Sequence, residues 1–169
     1  MKNGPKSHQM IDQGLVSLAW LLLGAWFGGF LLFGVGIAPS IFRVLSAPDA
    51  GRVVGPLLEL LHVYGLIAGL ALGAIAYRLG CDRLRVWLPV ALGVACGISE
   101  FVVTAGIDRV RPQAFGVGAT ELAQAQFARL HQISMVLFIA VGVGTIALVL
   151  LYSIRLRGHR TDALRGRIS

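Results

Sequence analysis

From Leu15 to Ala38 the chain runs for 24 residues without a charged side chain. A helix needs about 20 predominantly apolar residues to cross the hydrocarbon core of a bilayer, so this run alone points to a membrane. Three more runs follow: Pro56 to Tyr77, interrupted by Glu59 and His62; Val86 to Ile107, holding only Glu100; and Ile133 to Ile154, with no charge. Lipid cannot satisfy open backbone groups, and these runs lack the alternation of a barrel strand, so helices are expected. The predicted fold is all-α, a single four-span transmembrane bundle over residues 1–169 with spans at 15–38, 56–77, 86–107 and 133–154. The first run is too long for a cleaved signal peptide, and Pro39 spoils the small-residue site ending at Ala38.

Composition closes off the alternatives. Charged residues make up 14% of the chain, against about 25% in a soluble domain. An apolar fraction of 56% excludes disorder, and two cysteines, Cys81 and Cys96, are too few for a disulfide scaffold. The net charge of +7 would suggest nucleic acid in a soluble protein. Here the basic residues flank apolar runs, where they set topology and meet lipid headgroups. The expected partner is the lipid bilayer, with no nucleic acid.

Four spans put both termini on one side. Lys2, Lys6, Arg78, Arg83, Arg85, Arg155, Arg157, Arg160, Arg165 and Arg167 share that side; Arg43, Arg52, Arg109, Arg111 and Arg129 lie on the other. The positive-inside rule then predicts cytoplasmic termini and two longer outer loops, roughly 39–55 and 108–132. Both loops carry signals for interfacial helical segments. Ser46-Ala47-Pro48-Asp49 resembles a helix start, with a kink expected at Gly55-Pro56. Thr120 is placed to cap a helix running into the fourth span, about 54 Å long if it reaches Arg155. Asp108-Arg109-Val-Arg111-Pro112 reads as exposed loop with a local ion pair.

Glycines four apart, at Gly24 and Gly28, at Gly65, Gly69 and Gly73, and at Gly93 and Gly97, let helix backbones approach closely where hydrophobicity cannot drive association. They serve packing within the chain, or a seam to a second copy or a larger membrane complex. A shift of 69 residues superposes Gly24 and Gly28 on Gly93 and Gly97, His62 on His131 and Gly73 on Gly142, a hint of a repeated helix hairpin.

Ionisable groups at membrane depth are functional candidates by default. Glu100 and His62 lie roughly 10 Å below the outer ends of their predicted spans by helical rise. Glu59 shares the face of His62 and Thr104 that of Glu100, while His131 enters from the fourth helix beside Arg129. His62, His131 and Glu100 are the candidate metal ligands, since Glu and His on neighbouring helices bind metals and paired His can hold haem. Glu59, Thr104 and Arg129 complete a candidate polar site. The same groups suit proton transfer through Glu100, or a purely structural hydrogen bond from Glu100 to Thr104 or His62. A single Glu59-Leu-Leu-His62 disfavours a di-iron carboxylate site. No phosphate-binding glycine loop, zinc-protease motif or serine nucleophile elbow occurs, so no enzyme is expected and no cofactor is identified.

Trp26-Phe-Gly28-Gly29, Ala38-Pro39-Ser-Ile-Phe42, Ala50-Gly51-Arg-Val-Val and Phe127-Ala-Arg129-Leu-His131-Gln-Ile-Ser134 together resemble the transmembrane protein 205-like family, whose bacterial members form domain of unknown function 4149. The likeness runs from about Leu15 to Ile154. It departs after Ser134, where the family often carries an Asn and Met135 to Ala140 has none. The resemblance implies a small multi-span protein without an agreed activity, in a bacterial inner membrane. A more distant likeness, to four-helix copper-resistance and haem-associated membrane proteins, rests on architecture plus His62 and His131. The expected function is a non-enzymatic binding or accessory component of the membrane. The alternatives are a metal- or haem-binding protein using His62 and His131, or a small proton-coupled transporter using Glu100.

Overall fold

The computed structural model describes the backbone of residues 5–165 and the side chains of residues 9–153. The side chains of Lys2, Lys6, Arg155, Arg157, Arg160, Arg165 and Arg167, used above for topology, lie outside the described residues. Among the described residues, six α-helices and two π-helical segments form four long rods. The first joins α1 (Pro5–Leu31), a π segment (Leu32–Ile37) and α2 (Ala38–Val44); the second is α3 (Ala47–Arg78). The third joins α4 (Arg83–Ile98), a π segment (Ser99–Thr104) and α5 (Ala105–Phe115); the fourth is α6 (Glu121–Arg165). Each is long and apolar enough to cross a membrane, over Gln9–Val44, Ala47–Arg78, Arg83–Phe115 and Glu121–Ser153. The chain is therefore a four-helix membrane bundle.

The rods are longer than the apolar runs that reveal them. Hydropathy marks where charges begin, whereas a helix ends only where its backbone bonding stops. Pro39 does not close the first rod. Its ring would clash with the carbonyl four residues back, at Val35, and Val35 lies in the wider π turn, so the helix continues to Val44. Pro56 likewise sits inside an unbroken α3, so the second span begins at Ala47 instead of Pro56. Asp108 to Pro112, expected as loop, is helical within α5, with the predicted ion pair from Arg111 to Asp108 at 3.5 Å.

The helix starts follow their caps. Thr120 Oγ1 accepts from the Ala123 amide at 3.2 Å, as predicted. Ser46 precedes α3 as expected, but its hydroxyl donates to Asp49 Oδ2 at 2.6 Å and caps no amide. Between α3 and α4, Cys81 N donates to Ala76 O and Gly80 N to Tyr77 O, the paired bonds of a Schellman turn. That turn needs φ of +64° at Gly80, a left-handed value that glycine alone adopts without strain. Asp82 then caps α4 through the Arg85 amide at 3.1 Å, and its carboxylate also pairs with the Arg85 guanidinium.

The rods contact one another in a closed ring, α1 to α3, α3 to α4, α4 to α6 and α6 back to α1. Ala19, Leu23, Trp26 and Phe30 recur at three- and four-residue steps on α1 and bury against Ala68 and Leu72 of α3, Cys96 of α4, and Val141 and Leu148 of α6. Outward-facing positions are equally apolar: Leu21, Leu60 and Val35 are 69–74% exposed. A surface like this suits hydrocarbon as its solvent.

The closest packing is between α3 and α4. A Cβ on Gly69 would stand 2.8 Å from Gly93 Cα and closer still to the Pro89 carbonyl; one on Gly93 would meet Leu66 O at 3.1 Å. Gly65, Gly69, Gly73 and Gly93 thus serve packing within the chain. Gly24 and Gly28 do not, since a Cβ on either meets nothing within 4 Å. The positions paired by the 69-residue shift therefore have different surroundings: Gly24 is open where Gly93 is closed, and His62 is buried where His131 is exposed.

Candidate functional site

Midway along the bundle, His62 of α3 faces Glu100 of the second π segment, with Nδ1 3.0 Å from Oε2. The His62 side chain is 2% exposed and that of Glu100 10%. Each lies 15 residues from the distal end of its rod (the end away from the termini), about 22 Å by helical rise. This is twice the depth expected from the apolar runs, because both rods extend beyond them. The hydrogen bond gives each of these buried polar groups a partner, which offsets part of the cost of placing them at membrane depth. A π segment carries the carboxylate, a feature that often marks functional positions in helices.

Ser99 and Trp26 are buried close by in sequence or packing. Ser99 Oγ and Trp26 Nε1 have no hydrogen-bond partner among the described residues. Trp26 Nε1 and Cys96 Sγ both lie against Gly65, one turn from His62 on α3, at 2.8 and 2.7 Å from where its Cβ would be. Gly65 gives them the room.

One turn further toward the distal end, the same helices open into a cavity of about 650 Å³. Leu58, four residues from His62, and Thr104, four residues from Glu100, belong to its wall. The first rod contributes Phe33, Gly34, Ala38, Pro39 and Phe42 to the wall, and α6 contributes Phe127, His131, Ser134 and Phe138. On α3, Ala47, Gly51 and Gly55 recur every four residues along the cavity, and a Cβ on Gly51 or Gly55 would meet nothing within 4 Å. The space exists because these positions carry almost no side chain. Both π segments border it, through Phe33 and Gly34 in one and Thr104 in the other.

The sequence-derived candidates separate into three groups. His62 and Glu100 form the buried pair. Thr104 and His131 line the cavity, where the His131 ring stacks on Phe127 at 6.1 Å. Glu59 and Arg129 are exposed and belong to neither place. The set His62, Glu100 and His131 is not assembled as a ligand group: among the described residues no three His, Cys, Asp or Glu side chains converge to hold a metal ion. The expected convergence fails because Glu100 and His62 sit a full turn deeper than Thr104, while His131 stays at the exposed end.

Sequence reasoning missed the cavity. Its signals were present as the four-residue spacing of Ala47, Gly51 and Gly55, and as Thr104, Ile107, Arg111 and Phe115, which fall on one helical face only once Asp108 to Pro112 is taken as helix. No curated protein and no solved structure matches the chain. Residues 21–116 match a family described as Domain of unknown function (DUF4149). That match spans more than half of the chain and takes in the buried pair and three of the four cavity walls, so this membrane bundle belongs to the DUF4149 family.

Proposed function

We propose that this chain is a non-enzymatic membrane binding protein whose ligand occupies the distal cavity. The cavity itself carries the reading: about 650 Å³, walled mainly by aromatic and aliphatic side chains with a few polar groups, falls within the range that encloses one small molecule. In this arrangement both termini face the cytoplasm of a bacterial inner membrane, supported by the ten basic residues on the terminal side against five opposite. The helical extensions beyond the apolar runs then lie at or above the interface. The exposed Gly24 and Gly28 offer a close-approach face to a second copy or a larger membrane complex.

Gly51→Trp tests the reading, because the open space at Gly51 lets an indole enter without displacing backbone. Native mass spectrometry of the wild type released from mild detergent is expected to find a retained small molecule, and the variant, with the same elution profile, to lack it. Equal ligand content in both, or none in either, sinks the proposal.

A second reading, a small proton-coupled transporter, is favoured by the His62–Glu100 pair one turn beyond the cavity floor. Under it Glu100 takes and gives a proton as the cavity fills and empties. Glu100→Gln would keep ligand binding and abolish uptake driven by a proton gradient in liposomes; unchanged uptake would remove this reading. A metal or haem shared by His62 and His131 has no such support, since one ring is buried against Glu100 and the other is exposed and stacked on Phe127.

A further inference from the structure

We propose that the cavity ligand is a single-chain amphiphile with an anionic head, of the fatty-acid class, held by Arg111 and His131 with its chain among the phenylalanines. This rests on the proposed binding role of the cavity and names its ligand. The charge on the wall carries it. Arg111 and His131 are its ionisable residues, both bases, and no Asp or Glu lines it.

Arg111 has donors to spare. Its one ion-pair partner among the described residues is Asp108, at 3.5 Å, beyond ordinary hydrogen-bond length. The Asp108 side chain is 60% exposed, so this contact is weak and leaves most of the five guanidinium N–H groups uncommitted. A carboxylate is the geometry that such a fork matches best. His131 makes its stacking contact with Phe127 through the ring face, which leaves the ring edge, with its N–H, open to a ligand.

The phenylalanines of the wall suit a hydrocarbon chain. Phe33 and Phe138 pack together at 5.7 Å and Phe115 and Phe127 edge to face at 4.8 Å. All four belong to the wall. Arg111 and Phe115 are one turn apart on α5, so head and chain subsites follow from one helix face. A cationic ligand would meet two bases, and a ligand without charge would leave the guanidinium unused. The space admits one chain; a two-chain phospholipid would have to leave its second chain in the bilayer.

The test uses the full chain in nanodiscs of phosphatidylcholine, with dansyl-undecanoic acid and its methyl ester as probes, read by dansyl emission. The wild type is expected to bind the acid about tenfold or more tightly than the ester, the range of one charge-assisted hydrogen bond. Arg111→Gln should weaken acid binding several-fold and so narrow that preference, and Gly51→Trp should abolish binding of both. Equal binding of acid and ester by the wild type overturns the anionic assignment but leaves the cavity as a binding site. Acid binding that survives Gly51→Trp places the probe elsewhere and overturns it too. Displacement of the acid by phosphatidylglycerol added to the nanodisc assigns the basic rim to a bilayer headgroup and overturns the single-chain ligand. Failure of both probes to bind the wild type removes the binding role itself.

Discussion

In the half of α3 nearer the termini, Gly65, Gly69 and Gly73 meet α4, Trp26 and Cys96 so closely that an added methyl would overlap neighbouring atoms. In the distal half, Ala47, Gly51 and Gly55 repeat the spacing of four, and both glycines face open space bounded by the first rod, α5 and α6. His62 stands where the two regimes meet, bonded to Glu100. One sequence device therefore produces two results. Where the facing helix also presents small residues, as α4 does at Gly93, the backbones close. Where the facing side chains are phenylalanines and the neighbouring rods are widened by π turns, the missing side chains leave a cavity.

Substitutions at corresponding positions should separate the two halves most sharply. Gly69→Leu must push Pro89 and Gly93 backbone aside, and overpacking of this kind costs about 1–3 kcal/mol even in yielding cores. Loss of a monodisperse peak in detergent is expected. Gly55→Leu, four-residue spacing and all, should elute normally, and the contrast between the regions fails if the two variants behave alike.

The junction comes next. His62→Leu leaves the Glu100 carboxyl buried without its partner, a loss of about 1–3 kcal/mol. Thermal unfolding in detergent should register it. Glu100→Gln retains a hydrogen-bonding group and should lose less; an equal loss in the two variants would point to packing as the source of the effect.

A smaller effect belongs to the turn that joins α3 to α4. The Asp82 carboxylate is held below the usual range, first by the Arg85 backbone N–H that it caps, with the Arg85 charge adding to this. Because its folded value is depressed, its contribution is present above the ordinary carboxylate range and lost as pH falls through the depressed value. Asp82→Ala should lower the melting temperature slightly at neutral pH, and the gap from wild type should close in acid. A gap independent of pH would assign the loss to something other than the titrating cap.

Much of this was legible in the sequence. The four spans, the cap at Thr120, the helix start after Ser46, the packing role of Gly65, Gly69, Gly73 and Gly93, and the membrane-depth candidates His62 and Glu100 all follow from spacing and polarity. Span ends were not legible, because Pro39 read as a stop and Pro56 as a kink at the start of a span; the π turn around Val35 that accommodates Pro39 is visible only in the backbone. Nor could the sequence distinguish Gly24 and Gly28 from Gly65 and Gly69, since the same motif is open or closed according to what a neighbouring helix brings.

The sequence by itself determined that the chain lives in a membrane as helices, since four runs long and apolar enough to cross hydrocarbon can satisfy their backbone there only within each segment. Only the tertiary structure decided which polar groups meet. Helix register and rod length set His62 against Glu100 and left His131 and Arg111 on the cavity wall, because contact across helices depends on relative depth and rotation, and neither is written in the order of residues along one chain.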